Sequence, residues 1–118
     1  KIEETFELAF QNHKKNNLEI ARKLYKQILE KQPDHFKTIF YLGTLSIQTK
    51  KFDKAKSYYE KAIQINPNYP DAYHNLGTIL QELGDFKKAI GIHGTDKYYA
   101  RSNFYKEVFN YLELHKIF

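Results

Sequence analysis

The chain has 118 residues, 42% of them hydrophobic and 28% charged, with a net charge of +5 and no Cys, Met or Trp. That is enough for one domain with a modest core, and it excludes a disulfide framework, a thiolate metal site and, for want of a long apolar run, a bilayer-spanning helix. The charge does not point to nucleic acid: residues 1–90 carry 15 Lys and Arg against 11 Asp and Glu, interleaved as on a solvated helix face, and only two of the 19 cations are Arg.

In chain order, the apolar spacing predicts helices over Phe6–Lys15 and Leu18–Lys31, then Phe36–Thr49 and Phe52–Ile65, then Asp71–Leu83, with another from Phe86 onward. Breaks fall at Lys50-Lys51 and at Asn66-Pro67-Asn68, because proline disfavours a helical conformation in the residue before it. Pro70 suits the first turn of the next helix, where its missing N–H is not needed. On the second pair, Ile39, Leu42, Gly43 and Ser46 share one face, and Ala55, Tyr59 and Ala62 share the face that must meet it. Gly43 and Ala55 let the two helices approach closely. These positions recur every 34 residues: Leu8, Leu42 and Leu76; Ala9, Gly43 and Gly77; Ala21, Ala55 and Ala89; Tyr25 and Tyr59; Pro33 and Pro67. A period of this length marks stacked helix–turn–helix units that cannot bury their apolar faces alone.

The pattern Ile39, Leu42, Gly43, Ser46, Ala55, Tyr59, Ala62, Pro67, repeated as Tyr73, Leu76, Gly77, Leu80, Ala89, resembles the tetratricopeptide repeat family. The first unit matches less well, with Thr5, Ala9 and Asn12 at the corresponding places. The string Asp71-Ala-Tyr-His-Asn-Leu-Gly is similar to repeats of O-linked N-acetylglucosamine transferases and of bacterial multidomain proteins. The resemblance implies an all-α, right-handed solenoid of antiparallel helix pairs, about 2.5–3 units in one domain, with repeats at 2–35, 36–69 and an irregular 70–90.

In that family the first helix of each pair lines a concave groove that holds extended peptides. The matching positions include Phe6, Phe10, His13 and Lys14 in the first unit, and Lys37, Phe40, Tyr41, Thr44 and Gln48 in the second. The third unit contributes Asp71, His74, Asn75 and Thr78. Rings beside amides and hydroxyls suit a peptide, since rings hold side chains and amides pair with a backbone. Asn75 matches an asparagine that grips the peptide backbone in transferase-type repeats; the alternative is a bridge to a neighbouring helix. Phe6, Phe10 and Phe40 are either an exposed contact surface or rings covered by an upstream helix. The repeats that hold a chaperone's terminal carboxylate carry cations where Asp71 stands here, so that ligand is not expected.

After Ile90 the period fails, and Gly91 and Gly94 weaken a helix interior. Residues 91–118 are expected to form an atypical C-terminal cap, with a helix over Asn103–Lys116; the alternatives are an altered reading frame, partial disorder or binding to another copy. Five His residues are scattered with no metal-ligand spacing, and no Gly-rich phosphate loop is present, so neither catalytic residues nor a cofactor nor a metal is expected. The expected function is protein or peptide recognition. The alternatives are self-association as a scaffold, or service as the targeting arm of a larger enzyme such as a glycosyltransferase. The opening Lys1-Ile2-Glu3-Glu4 has no leader pattern and already fits a helix, as expected of a chain cut or processed from something longer; a cytoplasmic location is the matching expectation.

Overall fold

The computed structural model describes residues 1–83, which form five helices: α1 (Ile2–Lys14), α2 (Leu18–Lys31), α3 (Phe36–Gln48), α4 (Phe52–Ile65) and α5 (Pro70–Glu82). They pack as an all-α solenoid in which α1 pairs with α2, α3 with α4, and α5 lies against α4. The helix expected from Phe86, the bend at Gly91–Gly94 and the cap over residues 103–116 lie outside the described residues. The predicted limits hold to within a residue or so from α2 onward, but α1 begins at Ile2 rather than Phe6. Glu3 and Glu4 occupy its first turn, where carboxylates oppose the positive end of the helix dipole.

Two turns separated by 34 residues join the members of each pair and are built alike. Asn16 and Lys50 both have positive φ, 65° and 59°. Behind them Asn17 N donates to Asn12 O at 2.8 Å, and Lys51 N donates to Ser46 O at 2.8 Å. This is the left-handed close that satisfies carbonyls at a helix C-terminus. A lysine there carries a steric penalty that glycine lacks. Lys50→Gly is therefore expected to raise stability by about 0.5–1 kcal/mol and the melting temperature by a few degrees, as read by thermal unfolding.

The core divides into two clusters. Ala9, Ala21, Tyr25, Leu42 and Leu45 make the first; Phe40, Ala55, Tyr59, Ile63, Ala72, Tyr73, Leu76, Ile79 and Leu80 make the second. Tyr41, itself half-buried, packs against both. Each large side chain buried here contributes roughly 1.5–3 kcal/mol. Among the leucines that recur every 34 residues, Leu42 and Leu76 are buried, whereas Leu8 is 54% exposed. Leu42 packs in the cluster that α1 and α2 supply, and no described element stands before α1 to do the same for Leu8.

Candidate functional site

The inner face is assembled from α1, α3 and α5. On α1, Phe6 and Phe10 stand one turn apart and stack, with ring centroids 6.0 Å apart and planes 10° off parallel. Tyr41 of α3 closes on both, 5.9 Å from Phe6 and 5.0 Å from Phe10. Two ammonium groups lie over these rings, Lys37 Nζ at 6.0 Å from Phe6 and Lys14 Nζ at 5.0 Å from Phe10. A cation held above an aromatic face is attracted by the ring quadrupole. The three rings remain half-exposed, so this is an open, partly apolar patch edged by positive charge.

His35 meets the same patch from the α2–α3 connector, 5.8 Å from Phe6. Its Nδ1 accepts from Thr38 N at 3.3 Å and caps α3, an arrangement that needs an unprotonated ring nitrogen. Burial, with Lys37 acting in the same direction, holds the His35 pKa below the ordinary imidazole value.

Phe40, expected in the groove, is not available there. It is only 7% exposed and belongs to the second core cluster. Rings from both sides cover it, Tyr69 at 5.1 Å, Tyr41 at 5.3 Å and Tyr59 at 5.4 Å. Its register faces inward, but the α4–α5 connector folds Tyr69 over it.

Thr44 and Asn75 are brought together through a residue the sequence assigned to packing alone. Tyr59 is fully buried, and its hydroxyl must find partners. Asn75 Nδ2 donates to Tyr59 Oη at 3.1 Å, and Tyr59 Oη pairs with Thr44 Oγ1 at 2.7 Å. Thr44 Oγ1 in turn donates to Phe40 O at 3.3 Å. The amide of Asn75 is thus a bridge to the neighbouring helix. Among the described residues its Oδ1 and second N–H make no further hydrogen bond, and the side chain is half-exposed. Asp71 and His74 are exposed on the same helix, and Thr78 is half-exposed, its Oγ1 donating to His74 O at 3.2 Å.

The first pair solves the same problem differently. Tyr25, fully buried like Tyr59, pairs its hydroxyl with His13 Nδ1 at 2.9 Å, while His13 Nε2 meets Gln48 Oε1 at 2.6 Å. Gln48 accepts, so Nε2 carries the proton and Nδ1 accepts from the tyrosine. His13 and Gln48 therefore tie α1 to α3 across the inner face. The sequence puts both on that face; the signal for their bond was the buried hydroxyl of Tyr25. Among the described residues no cluster of His, Asp or Glu could hold a metal, and no helix is long and apolar enough to cross a membrane.

Comparisons with known proteins agree with this architecture. Tetratricopeptide repeat models match residues 36–69 and 58–91. The UDP-N-acetylglucosamine–peptide N-acetylglucosaminyltransferase of Caenorhabditis elegans is 34% identical over 88 residues, 75% of this chain and 8% of that protein. The pre-mRNA-splicing factor CLF1 of Kluyveromyces lactis is 34% identical over 80 residues, 68% of this chain and 12% of its own length. The chain thus spans a small part of either relative. Among solved structures, a MamA structure (MSR-1 C2) superposes with a TM-score of 0.69 at 27% identity, over 76% of this chain and 52% of that one. The TPR2B domain of yeast Sti1, in its pHsp70 complex, gives 0.70 at 20% identity, over 75% of this chain and 71% of that one. The helix pairs, their period and their inner face are those of a solenoid whose units serve generally as protein–protein interaction modules, and the chain belongs to the tetratricopeptide repeat family.

Proposed function

We propose that the inner face binds an extended segment of a partner protein, and that it does so without catalysis. The observation that carries this reading is the half-exposed Phe6–Phe10–Tyr41 patch beneath Lys14 and Lys37, set beside the unspent half of the Asn75 amide. The rings offer a seat for an aromatic or aliphatic side chain, and Asn75 offers one acceptor and one donor to a peptide backbone. Thr44, Lys37, Asp71, His74 and Thr78 extend the contact to either side, while Phe40 stiffens the wall behind it.

The test is selection from a random extended-peptide library, followed by titration of enriched peptides. Phe10→Ala is expected to weaken them at least about tenfold, because loss of a central aromatic anchor costs upward of about 1.4 kcal/mol. Asn75→Ala should weaken them less and should also cost stability through Tyr59. Equal binding by the Phe10 variant would overturn the reading. Self-association is the second reading, favoured by one observation, the 54% exposure of Leu8 where Leu42 and Leu76 are buried. Concentration-dependent mass with no enriched peptide would select it. Service as the non-catalytic arm of a larger enzyme is compatible with either, and is supported by the likeness to the worm transferase.

A further inference from the structure

On another face of α3, turned away from the aromatic patch, α2, α3 and α4 enclose a cleft of about 70 Å³. Its floor is apolar, with Leu18, Leu42 and Leu45 beside Tyr58. Its rim is cationic: Arg22 and Lys26 come from α2, and Lys51 and Lys54 from the start of α4, against the single carboxylate of Glu19. Glu19 is already taken, bonded twice to Arg22 through Nε and Nη2, and this pairing holds its pKa below the usual carboxylate value. Among the described residues no acidic group is in ion-pair range of Lys26, Lys51 or Lys54.

The placement of two of these lysines works against the helix that bears them. Lys51 is the N-cap of α4 and makes no capping bond, and Lys54 lies in the first turn beside Asp53, which alone supplies a carboxylate there. Positive side chains there add to the positive end of the dipole, where carboxylates are normally favoured.

We propose that this cleft is a second binding site, independent of the groove, for an acidic peptide segment of a partner protein, with carboxylates on Lys26, Lys51 and Lys54 and an intervening apolar side chain on the partly buried Leu18 and Tyr58. Three of the four cations are lysines, and Arg22 is committed to Glu19. The rim is therefore a set of point charges suited to carboxylates of flexible spacing, rather than a fork matched to one planar or tetrahedral anion. The apolar floor requires a side chain that a simple anion lacks.

The probe is a fluorescein-labelled peptide carrying Asp–Glu pairs on either side of one Leu, titrated by anisotropy at low salt against the full chain. Its counterpart with Asn and Gln in place of the acids serves as the reference. The acidic peptide is expected to bind at least about tenfold more tightly, and the difference should shrink as salt is raised. Lys51→Glu with Lys54→Glu, both at exposed positions, should abolish that preference with the circular dichroism unchanged. Phe10→Ala should leave it intact, which separates this site from the groove. The proposal is overturned if the two peptides bind alike, if the charge reversal has no effect, or if equimolar inorganic phosphate displaces the peptide completely.

Discussion

Replacing Tyr59 by alanine is expected to remove about 3–5 kcal/mol of folding stability, the usual cost of emptying a fully buried aromatic site. For a domain of this size that is a large share of the total. Two losses combine. The ring is fully buried and packs against Phe40 at 5.4 Å. Its hydroxyl also joins Asn75 of α5 to Thr44 of α3, so the deletion leaves a half-buried amide and hydroxyl without their partner. Urea unfolding of the variant measures the sum, and Tyr59→Phe isolates the hydroxyl at about 1 kcal/mol.

The same tyrosine sets an alkaline limit. Burial pushes its pKa up from 10.0 to about 12, against the pull of its bonds to Thr44 and Asn75. Below pH 10 both the folded and the unfolded chain keep the proton, and the contribution is complete. Between about pH 10 and 12 the unfolded chain releases a proton that the folded chain retains, so stability falls as pH rises, by up to about 2–3 kcal/mol. Burial raises Tyr25 in the same sense. The Tyr59→Phe variant should lose less stability than the parent between pH 9 and 12. Equal losses would mean that the hydroxyl is not buried as described.

Gly43→Ala is the second large effect, and its sign depends on Tyr59. A Cβ at position 43 would lie 2.8 Å from Tyr59 Cε2 and 2.9 Å from Cζ. That ring has little freedom to move, being packed against Phe40 and held at its hydroxyl from two helices. Overpacking costs about 1–3 kcal/mol, and alanine returns up to about 1 kcal/mol as a better helix former. A net loss of about 1–2 kcal/mol is expected in the parent. In the Tyr59→Ala background the clash disappears, and the same change should become neutral or stabilising. A destabilisation that survives in that background would place the clash elsewhere.

The two predictions concern residues whose packing was legible in the sequence. Gly43 on one helix facing Ala55 and Tyr59 on the other, repeated at a step of 34, defines the close face of a helix pair whatever the rest of the chain does. The hydroxyl chemistry was not legible, because Asn75 and Thr44 reach Tyr59 only after three helices have packed. Phe40 shows the same limit from the other side. Its register is that of the groove, yet Tyr69, 29 positions later, lies over it. The apolar stripe put the start of α1 late, at Phe6, although the opening Lys1-Ile2-Glu3-Glu4 already fitted a helix; its first turn is polar, and acidic first turns act through the dipole rather than through an apolar stripe. The cleft behind α3 draws on residues from Leu18 to Tyr58, none of which forms a motif by itself.

Tyr41 carries a consequence for cooperativity. It packs against both core clusters and also forms one wall of the aromatic patch. In a chain of helix pairs that contact only their neighbours, the coupling between units resides in such shared side chains. A ligand seated on Tyr41 therefore adds to the term that joins the two pairs rather than to either pair alone. Saturating the patch should slow amide exchange in α1–α2 and α3–α4 together, merging two opening units into one.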